Sequence, residues 1–125
     1  MAVDITGLAE QVRAALETGD LSACAGLLAD DVRWGPADAP EWGCHNRRQV
    51  LSWYRDARSQ GMRASVDEVL VAEGCILVGL TVSNLASPQD ITRRWQVLTI
   101  RDDQIADICG FDDRDRAVAR AGLRD

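Results

Sequence analysis

The stretch RWGPADAPEWGCHN, residues 33–46, holds two of the chain's four Trp, two of its three Pro, one of its four Cys and its only His. Cys44 beside His45 is the pairing that could supply a nucleophile and its base. Such a dyad needs the two side chains within hydrogen-bond reach, and neighbours in an extended chain diverge. His45 alone can titrate near neutral pH and move a proton, or can cap the helix that follows. Trp34 and Trp42 offer flat apolar surfaces, suited either to a ring-bearing ligand or to plugging a core. Arg93 and Arg94 are successive residues of a strand, so one of them must face inward, where it needs an acid or a ligand anion as partner.

Other chemistries are excluded early. Cys24, Cys44, Cys75 and Cys109 form no C-x-x-C pair, so no metal site is expected. There is no Lys, which removes a Schiff base or a Lys general base. No Gly-rich phosphate loop occurs, so no cofactor is expected. The net charge of -6 argues against nucleic acid, whose partners present a basic face. No apolar run reaches the ~18 residues of a membrane span. Residues 1–20 read as an amphipathic helix rather than a leader, so the expectation is a cytoplasmic protein with reduced thiols.

At 125 residues the chain is expected to form one domain. In DITGLAEQVRAALETGD, residues 4–20, Ile5, Leu8, Val12, Ala15 and Leu16 recur at helical spacing, with Gly19 as the stop. Asp20 caps a second short helix bearing Leu21, Cys24, Leu27 and Leu28. DVRW follows as a strand with Val32 and Trp34 on one face, and Pro36 and Pro40 make the next stretch a loop. Asn46, which tolerates positive φ, turns the chain into a helix over 47–60 with Val50, Leu51, Trp53, Tyr54 and Ala57 on its apolar face. Arg47, Arg48, Arg55 and Arg58 read as a solvated basic stripe on that helix. Strands are expected over about 65–72, 75–83, 91–101 and 104–111, with ASPQD and RDDQ as loops. The tail from about residue 112 is a mixed-charge helix that can fray or dock.

Helices followed by long strands give an α+β plan, with three N-terminal helices on one face of a curved antiparallel sheet. Strand 91–101 is apolar on both faces, with Leu98 and Ile100 on one and Ile91, Trp95 and Val97 on the other. The helices cover one side only. A second copy packed on the outer sheet face, a homodimer, is the simplest cover for the other.

The segments ALETGDLSACAGLLADDVRW, NRRQVLSWY and LTIRDDQIADICGFDD together resemble the nuclear transport factor 2-like superfamily, which includes ketosteroid isomerase and the SnoaL-like polyketide cyclases. The resemblance spans about residues 8 to 113. It implies a cone with a pocket between the helices and the concave sheet face, and dimers that pack the outer sheet faces together. The positions that carry the isomerase Tyr and two Asp hold Val12, Gly35 or Pro36, and Gln96 here, so steroid-type isomerisation by that apparatus is not expected. Tyr54 matches a tyrosine deep in the pocket. SnoaL-like cyclases place an acid on the last strand, which here implies Asp112 or Asp113 in GFDD.

The expected site therefore joins Asp112, and more distantly His45, as catalytic groups with Trp34, Trp42, Trp53, Tyr54, Arg94 and Gln96 as substrate contacts. The hairpin TIRDDQIA decides which of these meet. A two-residue turn at Asp102–Asp103 sets Arg94 opposite Phe111 and turns Asp112 away. A three-residue loop with a bulge puts Arg94, Gln96 and Leu98 on one face with Ile108, Gly110 and Asp112. The family's inward positions imply the second. The functional expectation is cofactor-independent acid/base cyclisation or isomerisation of an apolar, ring-forming, polyketide-like compound. Its rival is a non-catalytic domain for binding a hydrophobic ligand or for dimerisation.

Overall fold

The computed structural model describes residues 5–36 and 43–122. Helices α1 (Ile5–Thr18), α2 (Leu21–Leu27) and α3 (Arg47–Ser59) alternate with strand β1 (Leu28–Pro36). Strands β2 (Met62–Ala72), β3 (Cys75–Asn84), β4 (Ser87–Arg101) and β5 (Gln104–Phe111) follow, and helix α4 (Arg114–Ala121) comes last. The sheet order is β1-β5-β4-β3-β2. β1 runs parallel to β5, and the other pairs are antiparallel.

The chain turns where its local chemistry requires. The Asp20 carboxylate accepts the Ala23 N–H at the start of α2. α3 begins differently from the sequence expectation. Asn46 is extended at φ -158, and its side-chain oxygen accepts the Gln49 N–H instead of supplying a left-handed turn. Gln49 reaches back to accept the His45 N–H at 2.7 Å, close to a capping box. Leu28, expected on the second helix, opens β1. The β3–β4 connection is tighter than expected, since β4 starts at Ser87 inside ASPQD.

α1, α2 and α3 cover the inner sheet face, where Val12, Val32, Val50, Ile76, Val78 and Leu98 form the main core. β3 is buried throughout Cys75–Leu80 because both of its faces are covered. The outer cover is α4. Ala117, Val118 and Ala121 pack on Cys75, Leu77, Val97 and Phe111 as a second core. The tail therefore docks, and Val97 is covered by the chain's own last helix. No second copy is needed to bury that residue. Trp95 and Ile91 lie beyond α4 on the same face, the first half-buried and the second exposed.

The β4–β5 hairpin combines both alternatives. Asp102 and Asp103 have φ 53 and 65, the two left-handed residues of a tight turn between Arg101 and Gln104. A bulge then shifts the register, because Ile100 pairs with Ile105 while Thr99 pairs with Asp107. The extra residue, Ala106, restores Gln96 opposite Gly110 and Leu98 opposite Ile108. Gln96 and Leu98 thus face inward beside Gly110 and Ile108, as the three-residue loop would have had them.

Candidate functional site

β1 leaves the sheet at Pro36, and the chain returns at Gly43 to make a two-way bridge. The Trp34 N–H donates to the Cys44 carbonyl at 2.9 Å, and the Cys44 N–H donates to the Trp34 carbonyl at 2.8 Å. Gly43 is required there. Its φ is +106, and a Cβ on it would sit 2.0 Å from the Trp34 carbonyl oxygen. This clamp fixes Trp34 against α3. The Trp34 ring stacks on Tyr54 at 5.0 Å and meets Trp53 edge-on at 4.5 Å.

These aromatic rings form one wall of a cavity of about 350 Å³ between the helices and the inner sheet face. Ala15 and Leu16 of α1 and Leu80 and Val82 of β3 make the remaining wall mostly apolar. A smaller hollow of about 30 Å³, reaching toward Val12, Leu98 and Ile108, shares Tyr54 and Gln96 with the main cavity. Those two polar groups therefore stand at its deep end.

Neither polar group is engaged by the described residues. Gln96 is only 8% exposed, yet neither its amide nor the Tyr54 hydroxyl has a hydrogen-bond partner among the described residues. No side-chain nitrogen or oxygen sealed inside the described structure lacks a partner, so both groups must open on the cavity. A ligand that displaces water from the Gln96 amide must supply a hydrogen bond to it, or leave it unpaired at a cost of about 1–3 kcal/mol. Burial raises the Tyr54 phenol well above its ordinary value, and Cys24 and Cys44 add to the shift, so the phenol stays a proton donor at neutral pH. The Gly110 position opposite Gln96 is open, since a Cβ there would meet only the Gly35 carbonyl oxygen at 3.8 Å.

Of the expected contacts, Trp34, Trp53, Tyr54, Arg94 and Gln96 line this cavity. Trp53 is 46% exposed and stands at the entrance. Trp42 lies outside the described residues. The two expected catalytic groups are elsewhere. Asp112 is exposed and is not part of the lining. β5 ends at Phe111, and Asp113 caps α4 by accepting the Asp115 N–H at 2.9 Å, so the chain has already turned away from the cavity. His45 is exposed on the approach to α3, while Cys44 packs against the core. The two side chains diverge, and burial raises the Cys44 thiol above its ordinary value, so no nucleophile–base pair forms. Among the described residues no group of three or more His, Cys, Asp and Glu could hold a metal ion. No helix among them is long and apolar enough to cross a membrane.

Sequence reasoning missed Arg58 and Arg63, which also line the cavity. Arg58 was assigned to the solvated stripe of α3. It lies four residues after Tyr54, the spacing that puts two side chains on one helix face, and that signal could have found it. Its guanidinium occupies the space over Gly19, where a Cβ would come within 2.3 Å of Nη1. Arg63 sits at the start of β2 and donates to the Arg58 and Met62 carbonyls at 2.9 and 2.8 Å. Nothing in the local pattern points it toward the cavity.

The polar groups of the described lining are thus arginines, a phenol, an amide, a threonine hydroxyl, tryptophan indoles and a thiol, with no carboxylate and no imidazole. The lining can donate hydrogen bonds to a carbonyl oxygen and attract negative charge. It holds no group able to take a proton from carbon near neutral pH.

Solved structures share this architecture. A protein from Kribbella flavida DSM 17836, provisionally named a ketosteroid isomerase, superposes with a TM-score of 0.72 at 19% identity, over 84% of this chain and 74% of that one. One from Sinorhizobium meliloti, provisionally named a polyketide cyclase, gives 0.68 at 20% identity, over 84% and 94%. A nuclear transport factor 2-like protein of unknown function from Burkholderia pseudomallei K96243 gives 0.68 at 18% identity, over 96% and 98%. At these identities the likeness concerns the fold. No curated protein matches the chain. The SnoaL-like domain family matches residues 9–108, most of the chain, and the protein belongs to that family.

Proposed function

We propose that this chain binds a largely apolar, ring-bearing small molecule in its cavity, with a carbonyl oxygen directed at the Tyr54 hydroxyl and the Gln96 amide. The observation that carries the reading is the buried Gln96 amide, which has no partner among the described residues and opens on an apolar cavity. A core has no use for such a group, whereas a carbonyl ligand would satisfy it. The aromatic wall of Trp34, Trp53 and Tyr54 suits a flat ring.

Cyclisation or isomerisation of a polyketide-like compound is the catalytic form of this reading. It is favoured by the names of the Kribbella and Sinorhizobium neighbours. In that form Tyr54 and Gln96 would polarise the carbonyl, since both can donate to an oxygen that gains charge. The general base would have to come from outside the described lining. Binding is therefore the form that the geometry supports best. A homodimer through the part of the outer sheet face beyond α4, around Trp95 and Ile91, belongs to the same proposal.

Calorimetric titration with 2-acetylnaphthalene and with 2-ethylnaphthalene, which lacks the carbonyl, tests the reading. The ketone should bind more tightly to the wild type, and the difference should vanish in Gln96→Leu. Equal binding of the two compounds to the wild type would remove the carbonyl contact.

A further inference from the structure

We infer that the cavity's ligand carries an anionic group, a carboxylate, held at the entrance by Arg94 and Arg58. The inference rests on the reading that the cavity holds a small molecule, and it adds the charge of that molecule.

The chain is acidic overall, at -6, and six of its described arginines form ion pairs with carboxylates. Arg13, Arg47, Arg55, Arg93, Arg101 and Arg114 all form ion pairs, with Glu17, Asp30, Asp56, Asp67, Asp31 and Glu68 respectively. Arg58 and Arg94 form none among the described residues, as do Arg48 and Arg120 outside the cavity lining, and Arg63 donates from Nη1 to two backbone carbonyls. Arg58, Arg63 and Arg94 line one cavity whose described lining has no carboxylate. Positive charge without a carboxylate in the same lining thus borders the cavity, against apolar walls that weaken screening.

The successive pair Arg93–Arg94 divides accordingly. Arg93 turns outward, pairs with Asp67 and lies over the Trp95 ring. Arg94, opposite Leu80 of the inner face, borders the cavity and forms no ion pair among the described residues. Gly19 has no side chain to obstruct the Arg58 guanidinium, which a Cβ there would strike. An aromatic cluster can also hold a cation, but the arginines at the same entrance would repel one.

Arg94 and Gln96 lie on the same face of β4, two residues apart, a spacing of about 7 Å along the strand. A ligand meeting both would have its carboxylate and its carbonyl at opposite ends of one ring. Aromatic or alicyclic keto acids are the class that fits, because the guanidinium binds the carboxylate while the amide and phenol bind the ketone.

The test compares 4-acetylbenzoate with 4-acetylbenzamide, the same ring and ketone with and without the charge, by calorimetry at low salt. The acid should bind about tenfold more tightly, the effect of one charge-assisted contact at a partly exposed site. The gap should shrink with added salt. Arg94→Gln should reduce it to about threefold or less by weakening the acid more than the amide, and Arg58→Gln should act in the same direction. Equal affinities of acid and amide for the wild type would overturn the inference while leaving the cavity reading intact. Binding of neither compound would overturn both. A gap that persists in both variants would place the anion elsewhere and refute the assignment to these arginines.

Discussion

Tyr54 is the only tyrosine of a chain that has no lysine. Its phenol and four thiols are therefore the only side chains that titrate in the alkaline range before the arginines. Burial holds the Tyr54 phenol above its ordinary 10.0 in the folded protein, whereas in the unfolded chain it ionises at the ordinary value. Above about pH 10 the unfolded state thus releases a proton that the folded state keeps. Tyr54's contribution is complete below that pH and is lost as the pH rises toward the folded value. The slope for one proton is about 1.4 kcal/mol per pH unit, so the step from about pH 10 to 11 should cost about 1 kcal/mol through this residue. Urea unfolding of wild type and Tyr54→Phe across that range isolates it, because the thiols are common to both proteins. The difference between the two stability curves should be constant below about pH 9, and above it the wild type should lose stability relative to the variant. Ultraviolet difference absorbance should detect no phenolate in the folded protein near pH 10 and should detect it once urea is added. A folded protein that forms phenolate at its ordinary pH would refute the claim that this hydroxyl faces an apolar cavity.

The remaining predictions concern packing and assembly. Gln96→Leu should leave stability within about 1 kcal/mol of the wild type in urea unfolding, because the amide opens on the cavity and is bonded to no described residue, while abolishing the carbonyl contact. A larger loss of stability would mean that the amide is bonded inside the protein. Trp34→Ala should cost about 3 kcal/mol, since it deletes a ring packed on both Trp53 and Tyr54; a cost under about 1 kcal/mol would contradict the aromatic wall. Ala117→Asp should destabilise by at least about 3 kcal/mol, because it places a charge at a fully buried contact of α4. A mild effect would mean that α4 does not dock as described. Light scattering should find a dimer that Trp95→Glu converts to monomer, and a monomeric wild type would end the dimer proposal.

The order of helices and strands was legible because each element carries its own periodicity. Val12, Ala15 and Leu16 mark one helical face, and Leu98 and Ile100 mark one face of a strand. What failed depended on contacts between elements. The two faces of β4 were read correctly, but the cover for Val97 was sought in a second copy, because Ala117, Val118 and Ala121 are too small to mark their helix as docked. The bulge at Ala106 sets which β5 residues meet Gln96, and nothing in TIRDDQIA distinguishes a bulged register from a plain one. Asp112 was placed inward by following the strand's alternation one residue past its end, where the Asp113 cap turns the chain. The cavity's aromatic wall was visible in the residue types of RWGPADAPEWGCHN and LSWY. Its arginines were hidden by a reading of charge as solvated surface, although Arg58 stands one helical turn from Tyr54.

The central claim is that the hollow bounded by Trp34, Tyr54 and Gln96 receives the ligand. Its most direct test is a nitrogen–proton NMR titration of labelled protein with 2-acetylnaphthalene, following the side-chain N–H signals. The account predicts that the Gln96 amide and the Trp34 and Trp53 indoles shift together and saturate at one ligand per chain. Shifts confined to residues around the exposed Leu85 and Ile91, with the Gln96 amide unmoved, would contradict it.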